Sequence, residues 1–139
     1  MNTITSAPAA AAPQQRSVLH IDGDGRAALL LATLLMPEAR VTHAATLAAA
    51  ARAIRHGSFH LVVLDPDLPD GDGAALLDVL QCAAAPPPVL LYAARDSIWR
   101  GAASAALLKP ATSARQLWHT LAHLLDAGAA QTVSTPAPS

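Results

Sequence analysis

Four large apolar residues in succession, Leu61-Val62-Val63-Leu64, run directly into Asp65-Pro66. An extended segment sends successive side chains to opposite faces, so a strand without polar alternates must be covered on both sides. That is the situation of a strand in a parallel sheet sandwiched between helices. Further short runs follow the same plan: Val18-Leu19-His20-Ile21, Arg40-Val41-Thr42-His43, Val89-Leu90-Leu91-Tyr92 and Ala105-Ala106-Leu107-Leu108. Between the runs, apolar residues recur at helical spacing. Leu30, Leu34 and Leu35 share a face before Pro37, and Leu47, Ala50, Ala51 and Ile54 share another before Gly57, a C-cap residue. Leu76, Leu77 and Leu80 follow Gly73, and Leu117, Leu121, Leu124 and Leu125 form the last stripe. Strand–helix units repeated five times predict an α/β domain: a doubly wound five-stranded parallel sheet flanked by helices, flavodoxin-like. Trp99 and Trp118 fall in the segments expected to be the fourth and fifth helices.

The chain of 139 residues has room for one such domain. Residues 1–15 and 128–139 are mostly Ala, Pro, Ser, Thr and Gln, with too little apolar area to offset ordering entropy. They are expected to be a disordered leader and tail around a domain at 16–127. A formal charge of −1 and scattered basic residues exclude a nucleic-acid surface. No apolar stretch reaches the ~20 residues that span a bilayer, so no membrane partner is expected. The single cysteine, Cys82, fits a reducing compartment, and a cytoplasmic location is expected.

In doubly wound sheets, ligands bind beyond the C-terminal ends of the strands, near the point where strand order reverses. The residues there are Asp22 and Asp24 after the first run, Asp65 and Asp67 after the third, Ala93 after the fourth and Lys109 after the fifth. Carboxylates gathered on one rim attract a hard divalent cation, and Mg²⁺ suits a site with few protein ligands. An ammonium opposite them completes a setting for a phosphoryl group carried on a carboxylate. Asp22 and Asp24 read equally well as N-caps of the helix that follows.

The stretch from Leu61 through Asp65, Leu68-Pro69 and Gly73 resembles the phosphoacceptor strand and loop of response-regulator receiver domains (CheY-like) of two-component signalling. Lys109-Pro110, after an apolar strand, resembles that family's Lys-Pro element, whose peptide bond is characteristically cis. The resemblance spans roughly residues 17 to 126. It implies that Asp65 accepts a phosphoryl group from a histidine kinase or phosphotransfer protein and that Lys109 binds the phosphoryl oxygens. It further implies that Asp22, Asp65 and the backbone carbonyl of Asp67 hold Mg²⁺. The output would be contact with a downstream protein target rather than turnover of a substrate, with self-dephosphorylation at most. No output segment is seen after Asp126, so a stand-alone regulator is expected.

Three positions depart from the family pattern. Gly23 stands where a second acid is usual, so metal affinity falls unless Asp24 bends round to replace it. Ala93 replaces the usual hydroxyl at the end of strand four, and Ala106 replaces the aromatic of strand five. Tyr92, one residue earlier, points to the opposite side of the strand. Both halves of the family's switch are thus missing. That opens a second reading, a pseudo-receiver serving phosphorylation-independent protein interaction. Asp65-Pro66-Asp67 is also similar to the nucleophile strand of haloacid-dehalogenase-type phosphatases, but Pro69 stands where that family's hydroxyl is expected.

Overall fold

The computed structural model describes residues 15–134. Five parallel strands form one sheet: β1 (Arg16–Ile21), β2 (Ala39–Ala44), β3 (Leu61–Leu64), β4 (Val89–Ala93) and β5 (Ala105–Leu108), in the order β2-β1-β3-β4-β5. The helices are α1 (Gly25–Leu35), α2 (Leu47–His56), α3 (Ala75–Gln81) and α4 (Ala114–Ser134). Every residue of β3 is fully buried, as its unbroken apolar run requires. Val18, Leu61, Val63, Leu90 and Tyr92 pack on one face against Leu31 of α1 and Leu117 and Leu121 of α4. Leu19, Ile21, Val62, Leu64 and Leu91 pack on the other against Ala50 of α2 and Leu76, Leu77 and Leu80 of α3. Tyr92 and Leu91 therefore alternate as an extended strand demands.

Strand order reverses at β1, which pairs with β2 on one side and β3 on the other. The crevice this creates lies between the ends of β1 and β3, where Asp22 and Asp65 emerge. The Asp65 N–H donates to Ile21 O at 2.8 Å and the Asp22 N–H to Ala44 O at 3.0 Å, so both residues extend the ladder by one step. Their carboxyls leave from a fixed backbone.

The expected fourth helix is absent. Residues 94–104 hold only a 3₁₀ turn, Arg100–Ala102. Asp96 Oδ1 accepts from the Ser97 N–H at 2.9 Å, Ser97 Oγ accepts from the Trp99 N–H at 3.0 Å, and Asp96 pairs with Arg100. Such local side-chain-to-backbone bonds compete with the helical ladder, and Gly101 weakens it further. As a result β5 stays only half-covered, and Ile98 and Trp99 are 89% and 43% exposed.

The last helix continues past the boundary expected at 127 to Ser134, because Ala127, Ala129, Ala130 and Gln131 all favour helix. The expected leader, save Gln15, and residues 135–139 lie outside the described residues. No helix among the described residues is long and apolar enough to cross a membrane.

Candidate functional site

At the strand-end rim, Lys109 joins two carboxylates. Its Nζ donates to Asp65 Oδ2 at 2.8 Å and lies 2.9 and 3.1 Å from the two carboxyl oxygens of Asp22. Asp22 is fully buried, and Asp65 retains only 6% exposure. The structure brings together Asp22, Asp65 and Lys109, three of the residues singled out in the sequence. Lys109 reaches this place from a 3₁₀ turn, Lys109–Ala111, through a trans Lys109–Pro110 bond, since the sole cis peptide among the described residues is Met36–Pro37. The expected cis bond is therefore corrected: the turn and the long lysine stem suffice to bring Nζ inward. The ammonium also lies 5.7 Å from the Tyr92 ring centroid, within cation–π range.

Asp65 Oδ1 accepts from the Asp67 N–H at 3.0 Å, an Asx turn that aims the carboxyl across the rim. The loop beyond is closed by the Gly73 N–H on Pro66 O at 2.7 Å. A Cβ on Gly73 would stand 3.1 Å from Leu64 Cδ1, Leu68 Cδ1 and Pro66 Cα, so only glycine fits without movement. Asp70 reaches α2, where its carboxylate accepts from the Leu47 and Ala48 N–H groups at 2.7 and 3.1 Å. Those bonds, Leu47 first, hold its pKa below the usual aspartate value.

Asp24 does not join the site. Its Oδ1 accepts from the Arg26 N–H at 2.9 Å and caps α1, while its own N–H donates to Asp22 Oδ1 at 2.8 Å. The alternative left open in the sequence resolves unequally, with Asp24 the cap and Asp22 the site carboxylate. Among the described residues, no group of three or more His, Cys, Asp and Glu side chains could hold one ion. The donor set that remains, the Asp22 and Asp65 carboxylates, would fit a largely hydrated Mg²⁺ held loosely, because that ion often takes one or two carboxylates plus waters.

Two residues lacked any sequence signal strong enough to single them out. His20, on β1, is fully buried with Nε2 3.3 Å from Asp22 Oδ2, close but poorly aligned. His43, paired with His20 in the β1–β2 register, places Nε2 2.7 Å from the Asp22 carbonyl oxygen. The two-residue step from His20 to Asp22 on one strand side was the available signal. His119 and His123, by contrast, are exposed on α4.

Burial of Asp22 opposes its ionisation, but the His20 and Lys109 contacts and the Asp24 N–H outweigh that, and its pKa falls below the ordinary 3.8. Burial also disfavours the Lys109 ammonium, yet bonds to Asp65 and Asp22 prevail and its pKa rises above 10.5. Burial raises Tyr92 above 10.0. The signs then fix a stability profile. The Asp22 contribution is complete above about 3.8 and is lost as pH falls through its lower folded value. The Lys109 and Tyr92 contributions are complete below about 10 and are lost as pH rises through their raised folded values. Urea midpoints are expected to be flat with respect to these three groups between those limits and to fall outside them. A Tyr92→Phe variant should lose part of the alkaline limb only.

Beside Asp65 opens a cleft of about 560 Å³ whose walls include Asp67, Ala93, Arg95, Ile98 and Trp99. Arg95 Nη2 donates to Asp67 Oδ2 at 3.3 Å across it. Ala93, almost buried, presents only a methyl there, and Ala106 is half-buried on β5. The arrangement is a nucleophilic carboxylate with one ammonium in contact and an open approach, suited to accepting an electrophilic phosphorus.

No protein-family model and no curated protein matches the chain in sequence. Solved structures match its fold. The signal receiver domain of a Luxo repressor protein from Vibrio parahaemolyticus superposes with a TM-score of 0.77 at 23% identity, covering 86% of this chain and 97% of that one. A CheY-like response-regulator receiver domain from Methanospirillum hungatei gives 0.75 at 22%, covering 85% and 99%. A response regulator from Thermotoga maritima, solved in complex with Mg²⁺ and BeF, gives 0.68 at 21%, covering 79% and 99%. The fold is that of response-regulator receiver domains.

Proposed function

We propose that the chain is a receiver module that accepts a phosphoryl group on Asp65 from the phosphohistidine of a histidine kinase or phosphotransfer protein. The observation that carries this reading is Lys109 Nζ at 2.8 Å from Asp65 Oδ2 on the rim of an open cleft. An Asp65 oxygen attacks the phosphorus, the new O–P bond forms as the P–N bond breaks, and the electron pair leaves with the imidazole nitrogen. Lys109 meets the charge on the phosphoryl oxygens. Asp22, Asp65 and the Asp67 carbonyl would hold Mg²⁺, which supplies further positive charge to those oxygens. Asp22 keeps Lys109 protonated and aimed, and the Asp67 N–H fixes the rotamer of Asp65. Hydrolysis of the acyl phosphate would be the limit of catalysis. The signal would then pass by direct contact to a downstream protein in the cytoplasm.

A second reading, the phosphorylation-independent interaction module, is favoured by Ala93 and Ala106, which supply neither hydroxyl nor aromatic to couple the site to β5. Intact-mass measurement separates the two. With Mg²⁺ and phosphoramidate, the chain is expected to gain one phosphoryl group, and Asp65→Asn to gain none. An unmodified parent chain would eliminate the acceptor reading and leave the interaction module.

A further inference from the structure

We propose that Arg95 is the phosphoryl-gripping cation of this cleft, held by Asp67 at rest and released onto the phosphoryl group when it arrives. The inference rests on the acceptor reading of Asp65 and concerns how this particular site balances its charge. Once Asp65 carries the group, its own negative charge is consumed in the new bond, while the phosphoryl brings about −2. Asp22 remains ionised beside it. Facing that total are Lys109, already shared with Asp22 at 2.9 Å, and a Mg²⁺ that only two carboxylates would hold. At the end of β4 Ala93 supplies no hydroxyl, and Gly23 supplies no metal-binding carboxylate. A further cation on the cleft side would add to these two.

Arg95 is the arginine that lines this cleft together with Asp65. Its resting contact is a single 3.3 Å bond to Asp67 Oδ2, with both side chains largely exposed, at 83% and 76%. Such solvated pairs are weak and break readily. A guanidinium presents a planar fork that matches two phosphoryl oxygens at once, which a single carboxylate contact of this kind does not exploit. The bound dianion thus outcompetes Asp67 for Arg95. The missing helix after β4 leaves the room for the swing, because residues 94–99 are not locked into a helical ladder.

The test is the rate of phosphoryl uptake from phosphoramidate, read by intact mass. In this reaction the P–N bond breaks as the Asp65 O–P bond forms, and the already protonated nitrogen leaves as ammonia. Arg95→Ala is expected to slow uptake about tenfold, the scale of one charge-assisted bond, and Arg95→Lys to recover only part. Asp67→Asn frees the guanidinium and is expected to speed uptake roughly twofold. The double-mutant cycle decides the cause. If Asp67 acts by tethering Arg95, Asp67→Asn brings no gain in the Arg95→Ala background. An equal gain in both backgrounds would reveal simple through-space repulsion and overturn the tether. Uptake by the parent chain at a rate untouched by Arg95→Ala would overturn the grip while leaving the acceptor reading intact. No uptake by the parent chain would end both.

Discussion

Lys109→Met is expected to destabilise the fold by about 3–5 kcal/mol at pH 7, because it strands two carboxylates in a buried site without their cation. Asp22 has no exposure and Asp65 almost none, so water cannot take over the role of the ammonium. The same change should invert the acid response. In the parent chain Asp22 ionises more readily than an ordinary aspartate, and its contribution is present above about 3.8. In the variant, burial and mutual repulsion raise a folded-state carboxyl pKa instead. The folded state then binds more protons than the unfolded one, so stability rises as pH falls from 7 toward the unfolded carboxylate range. Urea melts at pH 7 and pH 5 check both parts: the parent is expected to be no more stable at pH 5, the variant clearly more stable. A loss under about 1 kcal/mol at pH 7 would mean that the ion pair contributes as little as a solvated one. Millimolar Mg²⁺ should restore the variant more than the parent, since a divalent ion binding only the folded state stabilises it by mass action.

The rim residues were legible because their positions follow from a rule of sheet topology. Asp22, Asp65 and Lys109 each come directly after an apolar run, and parallel strands bring such positions to one edge. The strands themselves were legible for a related reason: residues buried on both faces leave an unbroken apolar signature, and β3 shows it in every residue. Periodicity is silent about competition within a short segment. Residues 94–104 contain enough apolar character to suggest a helix, yet the Asp96–Ser97–Trp99 bonds divert the backbone. Nor can spacing report a side chain that bonds far along the chain. Asp70 lies in the loop after β3, yet its carboxylate caps a helix 23 residues earlier. Asp24 illustrates the remaining difficulty. Its two candidate duties, cap and metal ligand, require the same residue type at the same place, and only the direction of its carboxyl separates them.

With Mg²⁺ bound as proposed, that direction leaves Gly23 as the position from which a carboxylate would reach the ion, and Gly23→Asp is expected to strengthen Mg²⁺ binding by about tenfold or more. A unit charge pair ~4 Å apart is worth roughly 4 kcal/mol at an effective dielectric near 20, and desolvation of the carboxylate and of Mg²⁺ consumes much of that. A residual gain of ~1.4 kcal/mol corresponds to the tenfold figure. The backbone permits the change, because Gly23 does not adopt a left-handed conformation. Space is tighter: a Cβ there lies 3.2 Å from Pro69 Cδ and 3.6 Å from the Ala45 carbonyl oxygen, so the Pro69 ring must shift by a few tenths of an ångström. Without metal, the added carboxylate crowds Asp22 and Asp65 and should lower stability by about 1 kcal/mol, the usual scale of an unfavourable substitution. With saturating Mg²⁺ the variant should melt at or above the parent. Calorimetric titration and paired melts with and without Mg²⁺ read the two effects separately. Asp24→Ala supplies the control: it should weaken α1 by loss of its cap and leave Mg²⁺ affinity where it was. Equal Mg²⁺ affinity in Gly23→Asp and the parent, or a fall in affinity on Asp24→Ala, would place the metal-controlling carboxylate at Asp24 after all.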